Sequence, residues 1–280
     1  MENEKMNKIG IIQGRLSPRP YPKLQAFPSE TWEKELYLAK ELGFDYIEWI
    51  FELESEEKNP LVNKKGRSEI LSAIDATGIP VKSVCADYFL SRPFYRRNGY
   101  TIEDNVRVLC TLIENTAEIG AEIILLPVLE EAEIRTKDEW RILISVLNEC
   151  CHELDQYGVS LGLETELEAK KYQKLCQSIS NHRIGAYYDT GNCAACGYDM
   201  EQDMRILSDD VICVHVKDRK YRGASTFLGN GDTNLLGGVH VLMDKAYAGN
   251  FTLQTYFEDE YLDNARQNLL FMKKLLYGEE

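Results

Sequence analysis

Four polar side chains stand at places where the surrounding runs are apolar. Glu164 closes a run in "LGLETE", Asp189 closes one in "YYDTGN", His215 sits inside "CVHVKDR" and Gln254 inside "TLQTY". Two carboxylates, an imidazole and an amide oxygen brought together make a mixed oxygen and nitrogen donor set, suited to one divalent ion such as Mn²⁺, Mg²⁺, Co²⁺ or Zn²⁺. Singly, each has an ordinary explanation, because buried His and Asp side chains are commonly hydrogen-bonded structural groups. The joint reading rests on their recurrence at corresponding positions of consecutive units.

Other residues could complete such a site. Glu48, between Ile47 and Trp49 in "YIEWIFE", is a charge in an apolar run, costly unless it is paired or functional. It is a candidate catalytic acid/base, with a structural ion pair as the alternative. Asp87 in "VCADYF" has the same two readings, and Asn192 follows Asp189 closely enough to bind substrate. Arg15, Lys217 and Arg219 are cations beside strand ends, able to hold a substrate phosphate or hydroxyl or to pair with Asp87, Asp189 or Asp218. Trp49, Tyr88 and Phe89 offer faces for a sugar ring, or simply core. The run "FLGNGDTN" offers backbone N–H groups for a phosphate, or a turn that caps a helix at Asp232. Cys193 and Cys196 form one CxxC without a second pair or a His cluster, weak grounds for zinc or redox chemistry. His152, His182 and His240 read as surface residues.

The elements that must position these residues recur regularly. Strands are predicted at Lys8–Gln13, Asp45–Phe51, Pro80–Ala86, Glu122–Pro127, Ser160–Glu164, Ile184–Asp189, Val211–Val216 and Asn250–Tyr256, with amphipathic stretches between them. Spaced by roughly 35 residues, eight such units fill about the 250 residues of a (β/α)8 TIM barrel, whose catalytic groups sit at strand C-terminal ends. Ser29 reads as a helix N-cap, and Gly43, Gly78, Gly120 and Gly158 as helix stops. An open doubly wound sheet would require a Gly-rich phosphate turn after its first strand, and "GRLSPRP" is not GxGxxG. The expectation is one α/β domain over residues 1–280, with residues 1–7 as a loose N-terminal tail.

Composition narrows the function classes. In 280 residues, 32 Lys and Arg face 46 Asp and Glu, for a net charge of −14. So acidic a chain lacks the basic face that binding a phosphate backbone needs, which argues against a nucleic-acid partner. No apolar stretch is long enough to span a membrane and "MENEKMNK" has no apolar signal core, so a cytoplasmic protein with no membrane partner is expected. Cys85, Cys110, Cys150, Cys151, Cys176 and Cys213 lie in apolar runs and read as reduced core thiols. A homo-oligomer is compatible with all of this.

Taken with "IGIIQGRLSP", "LGFDYIEW", "HVKDR" and "FLGNGDTN", the four polar strand ends resemble the sugar phosphate isomerase/epimerase family, the xylose isomerase-like TIM barrels. The resemblance spans nearly the whole chain. It implies a divalent-metal-dependent isomerase or epimerase of a small sugar or sugar phosphate, working through a metal-stabilised enediolate. A polyol or keto-inositol dehydratase of the same fold and a non-catalytic protein with a relict site are the alternatives. By resemblance, Glu164, Asp189 and His215 are metal ligands and Glu164 also moves protons. The fourth position departs from the family, since Gln254 replaces the usual Glu and cannot act as a base. That substitution tilts the expectation toward isomerisation, which needs one base, unless Glu48 or Asp87 supplies a second. The endonuclease IV branch uses several histidines on zinc, and this chain has only His215 at a strand end.

Overall fold

The alternating apolar runs assemble into a closed parallel barrel in the computed structural model, which describes residues 7–20, 23–96 and 99–278. Its strands are β1 (Ile9–Ile12), β2 (Tyr46–Ile50), β3 (Val81–Cys85), β4 (Ile123–Pro127), β5 (Ser160–Glu164), β6 (Ile184–Asp189), β7 (Val211–Val216) and β8 (Asn250–Leu253). Each strand pairs with its chain neighbours, and β1 closes the ring against β8. Helices cross over between strands, and a short ribbon, Asp218–Arg219 with Ser225–Thr226, stands above the β7 end. The expected (β/α)8 architecture is therefore the observed one. No helix among the described residues is long and apolar enough to cross a membrane. All eight cysteines are free, and Cys196 of the CxxC pair is exposed.

Element ends follow local chemistry. Gly43, Gly78 and Gly158 end their helices in the left-handed conformation, as glycine does without steric penalty. The first helix, Trp32–Leu42, has Thr31 rather than Ser29 at its N-cap, and the Thr31 hydroxyl bonds to Ser17 at 2.7 Å instead of capping the helix. The helix Leu235–Asp244 is capped by Asn234, whose side chain accepts from Gly237 N–H. Asp232, the expected cap, instead accepts from Lys220 and from the Tyr221 backbone N–H. Residues 1–6 of the expected tail lie outside the described residues. Asn7 is tied down, donating to the carbonyls of Tyr247 and Gly249 at 2.9 and 2.7 Å.

Two strand glycines make room inside the barrel. A Cβ at Gly10 would lie 2.2 Å from the Tyr46 ring, and one at Gly162 would lie 2.8 Å from Tyr187. The space admits two tyrosines whose hydroxyls both meet Thr252, at 2.7 Å and 3.0 Å. A polar layer thus lies under the mouth, where apolar layers would be usual.

The β1 end is braced from the first helix. Glu35 is fully buried, and its carboxyl accepts the Gly14 N–H at 3.0–3.1 Å, one residue before Arg15. Burial pushes its pKa from 4.5 to about 7. Between those values the unfolded chain ionises while the folded one keeps its proton, so stability falls as pH rises through this window, by up to roughly 3 kcal/mol. Urea unfolding at pH 5 and pH 8 should show wild type losing that increment relative to Glu35→Gln. A gap independent of pH would refute the assignment.

Candidate active site

The strand C-termini open on a cavity of about 390 Å³, lined by Arg15, Asp87, Glu164, Asn192, Lys217 and Gln254 among others. Beneath it lie Asp189 and His215, 1% and 0% exposed. Adjacent-strand register brings them together, since Asp189 pairs with His215 across β6 and β7, and Thr252 pairs with His215 across β7 and β8. Glu164, Asp189 and His215 each present a donor atom within 4.8 Å of the others. His215 Nδ1 is 4.0 Å from Glu164 Oε1 and 3.9 Å from Asp189 Oδ2. Gln254 lies one residue beyond β8, not within it, and its backbone N–H still donates to the Val216 carbonyl at 3.1 Å.

Hydrogen bonding divides each donor into a used side and a free side. Asp189 Oδ1 accepts the Asn192 N–H at 2.7 Å, capping the helix Thr190–Ala195. Its Oδ2 accepts no well-aligned hydrogen bond, although Lys217 Nζ lies 3.0 Å away. His215 Nδ1 and Gln254 Oε1 are likewise buried without a hydrogen-bond partner. A buried acceptor left without a hydrogen bond costs about 1–3 kcal/mol. Two such atoms, at a site that also holds the Glu164 and Asp189 carboxylates, fit a divalent cation, which takes lone pairs and supplies the missing positive charge.

The electrostatics agree. Burial, then the neighbouring Asp189, push the Glu164 carboxyl well above the usual range. Burial also raises Asp189, but Lys217, His215 and the Asn192 N–H outweigh it and hold Asp189 below its ordinary value. Such a crowded pair is expensive as two free anions.

Glu48 does not reach the cavity. It lies in the middle of β2, fully buried in the polar layer. Its Oε1 is 2.5 Å from His215 Nε2, and its Oε2 accepts from Ser83 at 2.6 Å and from Tyr187 at 2.5 Å. A carboxylate accepting two hydroxyl protons takes the imidazole proton as well, so Nε2 carries the hydrogen and Nδ1 presents its lone pair upward. Direct proton transfer by Glu48 is therefore replaced by control of the imidazole, the familiar arrangement behind a metal-bound His.

The remaining candidates separate by position. Asp87 lines the cavity, with Oδ2 accepting from Gln25 Nε2 at 2.7 Å and Oδ1 from Cys85 Sγ at 3.2 Å. Burial raises its pKa against those two hydrogen bonds. Asn192 bridges Glu164 and Arg219, donating to the first at 3.2 Å and accepting from the second at 2.9 Å. Arg219 itself is not in the cavity wall and donates also to the Gly223 carbonyl. Lys217 lines the wall, between Asp189 and Asn192. Burial lowers the pKa of Arg15 to about 10, leaving it charged at neutral pH. Its guanidinium donates to the carbonyls of Thr255 and Leu24 and to Gln25 Oε1, and lies over the Phe257 ring.

Two expectations change. The Gly-rich run does not turn these N–H groups to the cavity, because Gly229, Gly231 and Thr233 donate theirs to the buried Asp218 carboxylate at 2.8–3.1 Å. Trp49, Tyr88 and Phe89 are core, Trp49 being packed on Phe27 and Trp32 with its indole N–H on Asn59. Among the described residues, the aromatic side chains of the cavity are Tyr256 and Phe257. His152, His182 and His240 are exposed, as expected. Gln25 was not expected at all, since "KLQAF" belongs to an irregular connection in which no periodicity marks one residue over another.

Residues 36–275 match the family model of the xylose isomerase-like TIM barrel. The chain belongs to that family. It is 24% identical over 245 residues to L-ribulose-5-phosphate 3-epimerase UlaE of Salmonella heidelberg (strain SL476), covering 84% of this chain and 86% of that one. Its fold is similar to D-psicose 3-epimerase with D-tagatose from Clostridium cellulolyticum H10, with a TM-score of 0.76, 15% identity, and 96% and 99% of the two chains covered. A xylose isomerase-like TIM barrel protein from Mycobacterium smegmatis in complex with magnesium superposes with a TM-score of 0.75 at 16% identity, covering 99% of each chain. Family membership accounts for the barrel.

Proposed function

We propose that this chain is a cytoplasmic, divalent-metal-dependent epimerase of a small ketose or ketose phosphate. The observation that carries the reading is a group of buried acceptors at one polar cavity, His215 Nδ1 and Gln254 Oε1 without a hydrogen-bond partner and the Glu164 and Asp189 carboxylates within 4.0 Å of His215 Nδ1. The relatives' names, L-ribulose-5-phosphate 3-epimerase and D-psicose 3-epimerase, support epimerisation at the carbon beside a carbonyl. A relict site would leave the cost of those acceptors without a return, and dehydration has no relative among those compared above.

Glu164, Asp189, His215 and Gln254 would hold the cation, which when bound polarises a substrate carbonyl and its adjacent hydroxyl. Glu164 takes the carbon-bound proton, with Asn192 fixing its Oε1. Asp87 is the second proton-transfer group, because it lines the same cavity, is half-buried with a raised pKa, and has no cation within ion-pairing distance among the described residues. It replaces the carboxylate that Gln254 lacks. Arg15, Lys217 and Asn192 orient the hydroxyls or phosphate. Lys217 also lowers the charge density beside Asp189.

Gln254 supports one other reading, aldose–ketose isomerisation by Glu164 alone. Turnover of a ketose panel in D₂O, with Mn²⁺ restored to chelator-stripped protein, separates the two. Epimerisation with solvent deuterium at a single carbon, lost in Asp87→Asn, is the expected result. Proton transfer between adjacent carbons, unaffected by Asp87→Asn, would establish isomerisation. Protein that gains no thermal stability from divalent ions and turns over no ketose would sink both, since a ligand that binds only the folded state must stabilise it.

A further inference from the structure

A neutral amide at a metal site carries a hazard that a carboxylate does not. Its two ends differ, and rotation by 180° replaces an oxygen donor with an NH₂ group that cannot coordinate. Gln254 is therefore useful only if something decides which end faces the cation.

The structure contains a chain of hydrogen bonds that decides it. Arg15 is donor-only, and one of its terminal nitrogens donates to Gln25 Oε1 at 3.2 Å. On the other side of the Gln25 amide, Nε2 donates to Asp87 Oδ2 at 2.7 Å. Turning this amide over would set NH₂ against a guanidinium and oxygen against a carboxyl oxygen, so both flanks hold it in one sense. Gln25 Oε1 then faces Gln254, whose Nε2 donates to it at 2.9 Å. Gln254 Oε1 is left buried with no partner. The guanidinium is itself held by two backbone carbonyls and the Phe257 ring, so the chain starts from a fixed point.

We propose that Gln25 is a positioning residue that, held between Arg15 and Asp87, turns the amide oxygen of Gln254 toward a divalent cation. This rests on the metal-dependent reading above. It makes Gln25 and Gln254 a matched pair, because Gln25 presents an oxygen where a carboxylate at position 254 would also present one. Two facing acceptors repel, whereas an amide at position 254 supplies the hydrogen between them.

The test is a double-mutant cycle in Mn²⁺ affinity, measured by calorimetry on chelator-stripped protein, with far-UV circular dichroism and urea unfolding to confirm the fold. Gln25→Met in the wild-type background should weaken Mn²⁺ binding roughly 10- to 100-fold, the usual loss when a group that orients a ligand is removed. In a Gln254→Glu background, a carboxylate has no wrong end, so adding Gln25→Met should leave affinity unchanged or raise it. Equal weakening in both backgrounds would show a merely structural role and overturn the proposal, as would no change in either. Wild-type protein that binds no Mn²⁺ would instead remove the metal reading itself, an outcome seen before any variant is made.

Discussion

Glu164→Gln should lower kcat on the ketose substrate by roughly 10³-fold, within the 10²–10⁴ range that positioned proton transfer contributes. The side chains are nearly isosteric, and an amide oxygen can still accept from Asn192 Nδ2, now 3.2 Å from Glu164 Oε1. The fold should survive, and removing one member of a buried carboxylate pair relieves repulsion with Asp189. Two losses need separating, one of a metal ligand and one of a base. Excess Mn²⁺ repairs only the first. The expected outcome is that saturating Mn²⁺ restores occupancy, measured by calorimetry, while kcat stays depressed. Recovery of the wild-type rate at saturating Mn²⁺ would show Glu164 to be a ligand alone and move the proton transfer elsewhere.

Glu48→Ala should destabilise the protein by roughly 3–5 kcal/mol, because three buried donors lose their acceptor at about 1–3 kcal/mol each, and weaken metal binding roughly 10- to 100-fold. Both effects follow from one carboxylate. Glu48 collects the His215 Nε2 hydrogen and two hydroxyl hydrogens inside a layer closed to water. Truncation leaves those three donors without an acceptor and frees the imidazole to choose its other tautomer, which would put a hydrogen where the lone pair is needed. Glu48→Gln should fall between, since its oxygen still accepts from Nε2 while its NH₂ meets the hydroxyls of Ser83 and Tyr187. Urea unfolding and Mn²⁺ titration on the three proteins check the order. An Ala variant as stable as wild type, or with undiminished affinity, would show that the buried contact is not what orients His215.

The sequence by itself determined the barrel and most of its mouth. Short β-branched and aromatic runs at regular spacing are local signals, and the observed strands fall within the predicted ranges because backbone pairing follows those runs. Glu164, Asp189 and His215 were legible as a set, since polar side chains recurring at corresponding positions of consecutive apolar runs point to one end of the barrel. Tertiary structure decided what local pattern cannot carry. The strand register and the space left by Gly10 and Gly162 put Glu48 in the barrel interior under His215, converting an expected acid/base into the group that sets a tautomer. Asp218 took the N–H groups of the Gly-rich run, which composition alone could not distinguish from a phosphate cradle. Gln25 acquired its part only because an irregular connection folds over the mouth between Arg15 and Asp87. The direction of an amide depends on which donors and acceptors surround it in space, and Gln25 and Gln254 are 229 positions apart in the chain.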